Sequence, residues 1–230
     1  MYLTKYGIRE WLGSFIIVII LISILLLLAS RFEMNFLIYF ACFIFICWCA
    51  IATFFRDPER KIPAESNVLL SPADGTVKDI EVVRVPEYSE IFGNTEVLRI
   101  GIFLSVFDVH LNRAPCDMVV NRIIYKEGKF YDARDPRVFK ENESNSILCR
   151  GKVSDFEFPL VVKQISGAIA RRIVCSVNIN DRLKKGDRFG MIKFGSRTEV
   201  YFPKTENFII KLNIGDKLRA GESIIVEMKK

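Results

Sequence analysis

The pattern of hydrophobic and polar positions changes character once along this chain of 230 residues, near residue 55. Before that point it is nearly all apolar. Residues 11–30 form a run of 20 without a charge, and residues 34–55 a second run of 22. Only Arg31, Phe32 and Glu33 stand between them. At a helical rise of about 1.5 Å per residue each run reaches roughly 30 Å, the thickness of a bilayer's hydrocarbon core. The pattern therefore predicts a transmembrane helical hairpin over residues 1–55 that enters and leaves on the same side. Uncharged runs this long favour a membrane over a buried pair of core helices. A secretory signal has a shorter apolar stretch, about 7–15 residues, and no second one at once behind it, so the segment reads as an anchor.

After the second run the sequence Asp57-Pro58-Glu59-Arg60-Lys61-Ile62-Pro63 is polar and carries two prolines, the mark of a linker. From about Val68 onward short β-branched and aromatic runs recur at 76–85, 97–104, 118–125, 156–165, 199–202, 207–212 and 223–228. Turn signals separate many of them, among them Ala73-Asp74-Gly75, Lys185-Gly186-Asp187, Ile214-Gly215-Asp216 and Ala220-Gly221-Glu222. Residues 131–146 read as a polar loop and 167–177 as the place for one helix. The predicted fold class is mostly β: a β-rich α+β domain of antiparallel strands, residues 56–230, on an N-terminal helical hairpin.

Charge adds an orientation. Lys5 and Arg9 precede the first span, Arg56, Arg60 and Lys61 follow the second, and the turn between holds only Arg31. The positive-inside rule then puts both termini, and with them the β-rich domain, on the cytoplasmic side of the cell membrane. The net charge is +6, from 33 basic and 27 acidic residues. A mildly basic domain at a membrane suits an anionic lipid surface. No basic block interleaved with aromatics stands out, so nucleic acid is not an expected partner. Of the six cysteines, Cys42, Cys47 and Cys49 fall in the second span, and Cys116, Cys149 and Cys175 are scattered. With no C-x-x-C pair and one histidine, a zinc site is not expected, and a cytoplasmic location predicts free thiols.

Three segments could carry chemistry. His110 is the chain's one histidine, and imidazole alone titrates near neutrality without help. Asp108 lies two residues earlier and, on a strand, shares its face. A structural histidine is an equally good reading of the same residues. In Ser71-Pro72-Ala73-Asp74-Gly75-Thr76-Val77 the carboxylate of Asp74 either caps a tight turn or orients an imidazole. The pair Gly195-Ser196 breaks a strand-like stretch; an accessible glycine carbonyl followed by a hydroxyl is what an N→O acyl shift needs. Gly-Ser is also a common turn dipeptide, and with Phe194 before Gly195 there is no G-x-S-x-G nucleophile elbow.

Together the segments resemble the phosphatidylserine decarboxylase family in its short form. The resemblance runs from about Phe55 to the end and rests on SPADGTV (71–77), FLSVFDVHLNRAP (103–115), QISGAIARRIVC (164–175) and GDRFGMIKFGSRTEVYFP (186–203), in the family's order. It implies a proenzyme whose Ser196 attacks the Gly195 carbonyl and cuts the chain into a β chain, 1–195, and an α chain, 196–230, which stay together as a heterodimer; further oligomerisation is left open. Ser196 becomes a covalent pyruvoyl group, and no metal is required. By the same resemblance the ketone forms a Schiff base with the serine amine of phosphatidylserine in the membrane and acts as electron sink for decarboxylation to phosphatidylethanolamine, a step of phospholipid biosynthesis. His110 would be the base of the cleavage and Asp74 its orienter, with Asp108 as an alternative orienter. A second histidine carried by longer members falls here on Arg113, which by charge could pair with the substrate's phosphate or carboxylate. Met118 also departs from the family, which commonly has a glycine after the Ala-Pro segment. Three rival readings stand beside this one: a decarboxylase of another serine-headed lipid, a serine hydrolase using Ser196 intact, and a membrane-anchored β module without catalysis, since residues 214–222 resemble a hairpin of lipoyl-type domains.

Overall fold

A computed structural model describes residues 2–129, 131, 141–167, 172–193 and 196–229. The chain divides into two compact units, residues 1–59 and 60–230.

The first unit is the hairpin. Helix α1 (Ile8–Phe32) and helix α2 (Phe36–Ala52) are joined by a turn in which Glu33 takes a left-handed conformation, φ 53°. The amide of Met34 closes that turn on the Ala29 carbonyl, 3.1 Å. Both helices are long and apolar enough to cross a membrane, and large apolar side chains such as Leu27 and Tyr39 point outward. Trp48 ties the pair together: its indole donates to Ser14 Oγ at 3.1 Å and its ring lies 4.7 Å from that of Phe15. At the open end strand β1 (Tyr2–Leu3) pairs with β2 (Arg56–Asp57). Gly7 leaves room there for the Phe55 ring; a Cβ at Gly7 would sit 2.1 Å from it.

The second unit is antiparallel β, as its pattern of short alternating runs requires. Its strands are β3 (Val68–Leu70), β4 (Gly75–Val83), β5 (Val97–Leu104), β6 (Leu111–Arg113), β7 (Asp117–Lys126), β8 (Ser144–Val153), β9 (Phe156–Ser166), β10 (Ile173–Cys175), β11 (Arg182–Leu183), β12 (Arg188–Ile192), β13 (Ser196–Pro203), β14 (Phe208–Ile210), β15 (Lys217–Leu218) and β16 (Ile224–Met228). Eight of them form one sheet in the order β11-β7-β8-β9-β13-β5-β4-β15; two three-stranded sheets, β10-β12-β6 and β14-β16-β3, complete the unit. A short helix α3 (Ser89–Phe92), four residues long, follows a 3-10 turn over Pro86–Tyr88. Within 167–177, read from sequence as helical, residues 173–175 are instead strand β10, paired to β12; residues 168–171 lie outside the described set. The polar stretch read as a loop to residue 146 gives way to β8 at Ser144, because Ser144, Asn145 and Ser146 are buried against β9 rather than solvated.

Alternation along β13 sorts the core into two faces. Val200 and Phe202 join Ile100, Ile102, Leu104, Leu160 and Val162 in the larger apolar cluster. Tyr201 joins Tyr88, Phe92, Val97, Leu148 and Val161 in a smaller one on the opposite face. Toward the start of β13 the first face turns polar: Ser196 and Thr198 pair with Ser166 and Gln164 of β9, and all four are fully buried.

A candidate active site at the polar end of the sheet

Ser196 opens β13, between Ser166 of β9 and Leu104 of β5. It is fully buried, and its Oγ has no hydrogen-bond partner among the described residues. A buried hydroxyl left unbonded costs roughly 1–3 kcal/mol. Such an atom is out of place in a structural serine and is what a nucleophile awaiting its reaction partner looks like. Gly195 and Phe194 lie outside the described residues.

His110 is also fully buried, in the loop that enters β6, and its carbonyl accepts from the Ile192 amide of β12 at 3.2 Å. Its Nδ1 lies 2.9 Å from the Asp108 main-chain oxygen. A carbonyl can only accept, so Nδ1 carries the hydrogen toward Asp108, and Nε2 is the basic nitrogen of that tautomer. The Asp108 carboxylate faces elsewhere: it accepts from the Ser105 amide (2.8 Å) and hydroxyl (2.7 Å), closing the turn before His110. Asp108 thus reaches the imidazole through its backbone.

Asp74 sits at the same end of the sheet, just before Gly75 opens β4. Gly75 has φ 146°, and a Cβ there would lie 2.2 Å from the Phe103 carbonyl, so only glycine fits this turn. The Asp74 carboxylate receives both contacts of Arg60 Nη2 (2.9 and 2.7 Å) and the Ala220 amide (2.8 Å). Burial pushes the Asp74 carboxyl up, while the Ala220 amide and the Arg60 guanidinium pull it back. Arg60, from the polar linker, also reaches Glu222 at 3.2 Å. One buried ion pair therefore pins three separate segments, 60, 74 and 220–222. Breaking such a pair by removing one partner leaves a buried charge alone, so Arg60→Ala is expected to lower stability by about 3 kcal/mol, read as a drop in the midpoint of denaturant unfolding.

Arg113 is buried, with Nη1 on the Gly186 carbonyl at 3.0 Å and its own amide on the Pro72 carbonyl at 2.9 Å. The guanidinium thus holds the turn before β12. Two residues carry more of the local geometry than their sequence signal suggested. Asn112 donates to Thr198 Oγ1 (3.1 Å) and to the Pro72 carbonyl (3.3 Å), and accepts from Gln164 Nε2 (2.8 Å). Gln164 in turn accepts from Asn145 at 3.1 Å. The signal that could have found them is the alternation itself: polar Gln164 and Thr198 fall on the positions where apolar core residues belong.

The other face of β13 carries a second buried polar group. Arg197 binds Asp79 at 2.7 Å and Glu199 at 2.9 Å, Tyr201 donates to Glu199 at 2.5 Å, and Gly101 leaves the space the guanidinium fills. Buried charges on strand positions 197 and 199 fix the strand's register from behind and leave its front to Ser196 and Thr198.

Among the described residues no cluster of three or more His, Cys, Asp or Glu could hold a metal, and all six cysteines are free.

Residues 50–226 match the family model of phosphatidylserine decarboxylase. Among similar proteins, the phosphatidylserine decarboxylase proenzyme of Geotalea uraniireducens is 42% identical over 188 residues, covering 80% of this chain and 82% of the relative. That of Geobacter sulfurreducens is 42% identical over 178 residues, 76% of each chain. That of Wolbachia pipientis is 40% identical over 180 residues, 77% of this chain and 75% of the relative. The match spans the unit that holds Ser196, His110 and Asp74 and reaches the end of the second helix, and by it this chain belongs to the phosphatidylserine decarboxylase family.

Proposed function

We propose that this chain is a self-cleaving carboxy-lyase that decarboxylates phosphatidylserine to phosphatidylethanolamine at the membrane surface. The observation that carries the reading is the unpartnered, buried Ser196 Oγ at the head of a central strand. In the proposed maturation, Oγ bonds to the Gly195 carbonyl carbon while the bond from that carbon to the Ser196 nitrogen breaks. His110 Nε2 takes the hydroxyl proton and returns it to the freed nitrogen. Loss of the Ser196 α-proton then breaks the Cβ–Oγ bond, leaving a carboxylate on Gly195 and a dehydroalanine that water converts to the keto form with release of ammonia. Orientation of the imidazole falls to the Asp108 carbonyl, and anchoring of the 71–77 turn beside it to Asp74 with Arg60.

The residue set fits a pyruvoyl group made from Ser196, since that position is a buried serine on the polar part of the β13 face, opposite Ser166. Such a group supplies a ketone that takes up the electron pair left when carbon dioxide departs. Next to it along the same face, Thr198 and Gln164 are bonded through Asn112, and the burial of all of these residues would keep bulk water from the group.

The fold supports the reading that the two products of cleavage stay associated. Residues 196–230 contribute β13 between β9 and β5, β15 on β4, and β16 on β3. They also place Val200, Phe202, Ile225 and Val226 in the shared core. A cut before Ser196 would leave every one of these ladders in place. The hairpin gives the enzyme its hold on the bilayer that contains its substrate, with the catalytic unit on the cytoplasmic side.

The test is the mass of the purified protein under denaturing conditions. Two chains are expected, of 195 and 35 residues, the smaller lacking a free amino terminus. A single chain of 26.5 kDa would overturn the reading.

A further inference from the structure

We propose that Asn112 is the positioning residue that sets Ser196 against His110, an inference that rests on the self-cleavage reading above. Its side chain is fully buried, and three of its four hydrogen-bonding positions are in use on three separate segments: the Pro72 carbonyl, Gln164 of β9 and Thr198 of β13. It follows His110 by two residues and precedes Arg113, whose amide binds the same Pro72 carbonyl. Thr198 follows Ser196 by two residues on the same face of β13. One amide therefore spans the loop that carries the imidazole and the strand that carries the hydroxyl.

The polarity of this chain of amides is dictated by its end. The Pro72 carbonyl can only accept, so the Asn112 atom facing it is the NH2 group. Asn112 Oδ1 is then the atom facing Gln164, which must present its Nε2, and Gln164 Oε1 is left to accept from Asn145. Every member has one orientation, so the chain cannot relax by flipping an amide. The backbone is shaped to admit it: Asn112 pairs with Gly190 across β6 and β12, and a Cβ at Gly190 would lie 2.3 Å from the Val174 carbonyl and 3.0 Å from Gln164 Nε2. A purely structural asparagine could be satisfied on one strand. This one bridges the two elements whose spacing decides the reaction.

The experiment follows self-cleavage over time in freshly translated full-length protein, with Asn112→Ala and Asn112→Asp beside the parent. Asn112→Ala is expected to slow cleavage at least tenfold at every pH, with a pH profile shaped like the parent's. Asn112→Asp is the informative change. Its ionised carboxylate would face the Pro72 carbonyl with no hydrogen to give, and cleavage should be at least tenfold slower at pH 8. As the pH falls, the introduced carboxyl gains a proton, can again donate to Pro72, and cleavage should recover. The parent has no carboxyl at position 112 and is not expected to gain from the same fall in pH. Asp74 and Arg113, the charged groups that flank the Pro72 turn and Asn112 along the chain, are held by Arg60 and by the Gly186 carbonyl and are common to all three proteins, so the recovery belongs to position 112.

Thermal melting of the same substitutions in an uncuttable Ser196→Ala chain reports whether they fold. If Asn112→Asp does not, Asn112→Ala decides alone. Cleavage within twofold of the parent by Asn112→Ala, or a pH profile of a folded Asn112→Asp that runs parallel to the parent's, overturns the assignment. A parent chain that is never cut instead overturns the self-cleavage reading on which it rests.

Discussion

Replacing Ser196 by alanine is expected to leave one chain of 26.5 kDa and no decarboxylase activity, in a protein that melts no lower than the parent precursor. The two halves of that expectation have one source. Oγ is the nucleophile of the proposed acyl shift, and no neighbouring hydroxyl can take its place: Thr198 is committed to Asn112, and Ser166 donates to the Glu143 carbonyl at 3.2 Å. Its loss therefore abolishes cleavage rather than slowing it. Most serine-to-alanine changes at buried positions remove a hydrogen bond and destabilise. Here the atom removed has no partner, so the change deletes an unpaid desolvation cost of roughly 1–3 kcal/mol. The backbone pairing of residue 196 with Leu104 and Ser166 does not involve the side chain and remains. Intact mass and a melting curve read both halves. A cut at the same bond in the variant would place the nucleophile elsewhere, and a substantial drop in melting temperature would make Ser196 a structural residue.

His110→Asn is expected to slow self-cleavage by 10²–10⁴-fold, the usual worth of a positioned general base. The substitution separates orientation from basicity. The asparagine amide can reproduce the hydrogen that Nδ1 gives the Asp108 carbonyl, while nothing replaces Nε2. The loop that enters β6 should therefore keep its shape, because the His110 carbonyl still receives the Ile192 amide. Quantifying uncut precursor over time gives the rate, and melting of the uncut form checks the fold. Cleavage at the parent rate would remove His110 from the reaction and leave it as a buried structural imidazole, the reading that its sequence context allowed equally well.

The helical hairpin was readable residue by residue. Apolar runs and their length are local properties, and α1 and α2 fall where the uncharged runs predicted them. The longer strands were also readable, since β4, β5, β7, β9 and β13 each contain a run of β-branched or aromatic residues. Two short strands, β14 and β16, also fall within the runs at 207–212 and 223–228, but the other short ones did not show. β6, β10, β11, β12 and β15 have two to five residues, too few to establish a period, and they exist because a neighbouring strand completes their hydrogen bonds. The residues of β8 from Ser144 to Ser146 look like loop by composition and are strand because Gln164, Lys163 and Ile165 lie opposite them.

The chemistry divides in the same way. Which side chains could react was a matter of residue type: one histidine, the Gly195-Ser196 pair and a carboxylate in a tight turn, gathered by the motifs that carry the family resemblance. What those side chains touch depended on partners far away in the chain. Asp74 meets Arg60 and Ala220, 14 and 146 positions distant, and Asn112 meets Gln164 and Thr198, 52 and 86 positions distant. The apolar helical hairpin, the β class and the candidate reacting groups could all be read from the chain before folding, because they follow from local pattern and residue chemistry. Only the tertiary structure decided that Ser196 Oγ stands buried without a partner and that a backbone carbonyl orients His110. It alone joined the two through Asn112, because burial and hydrogen-bond direction exist only once distant strands have paired.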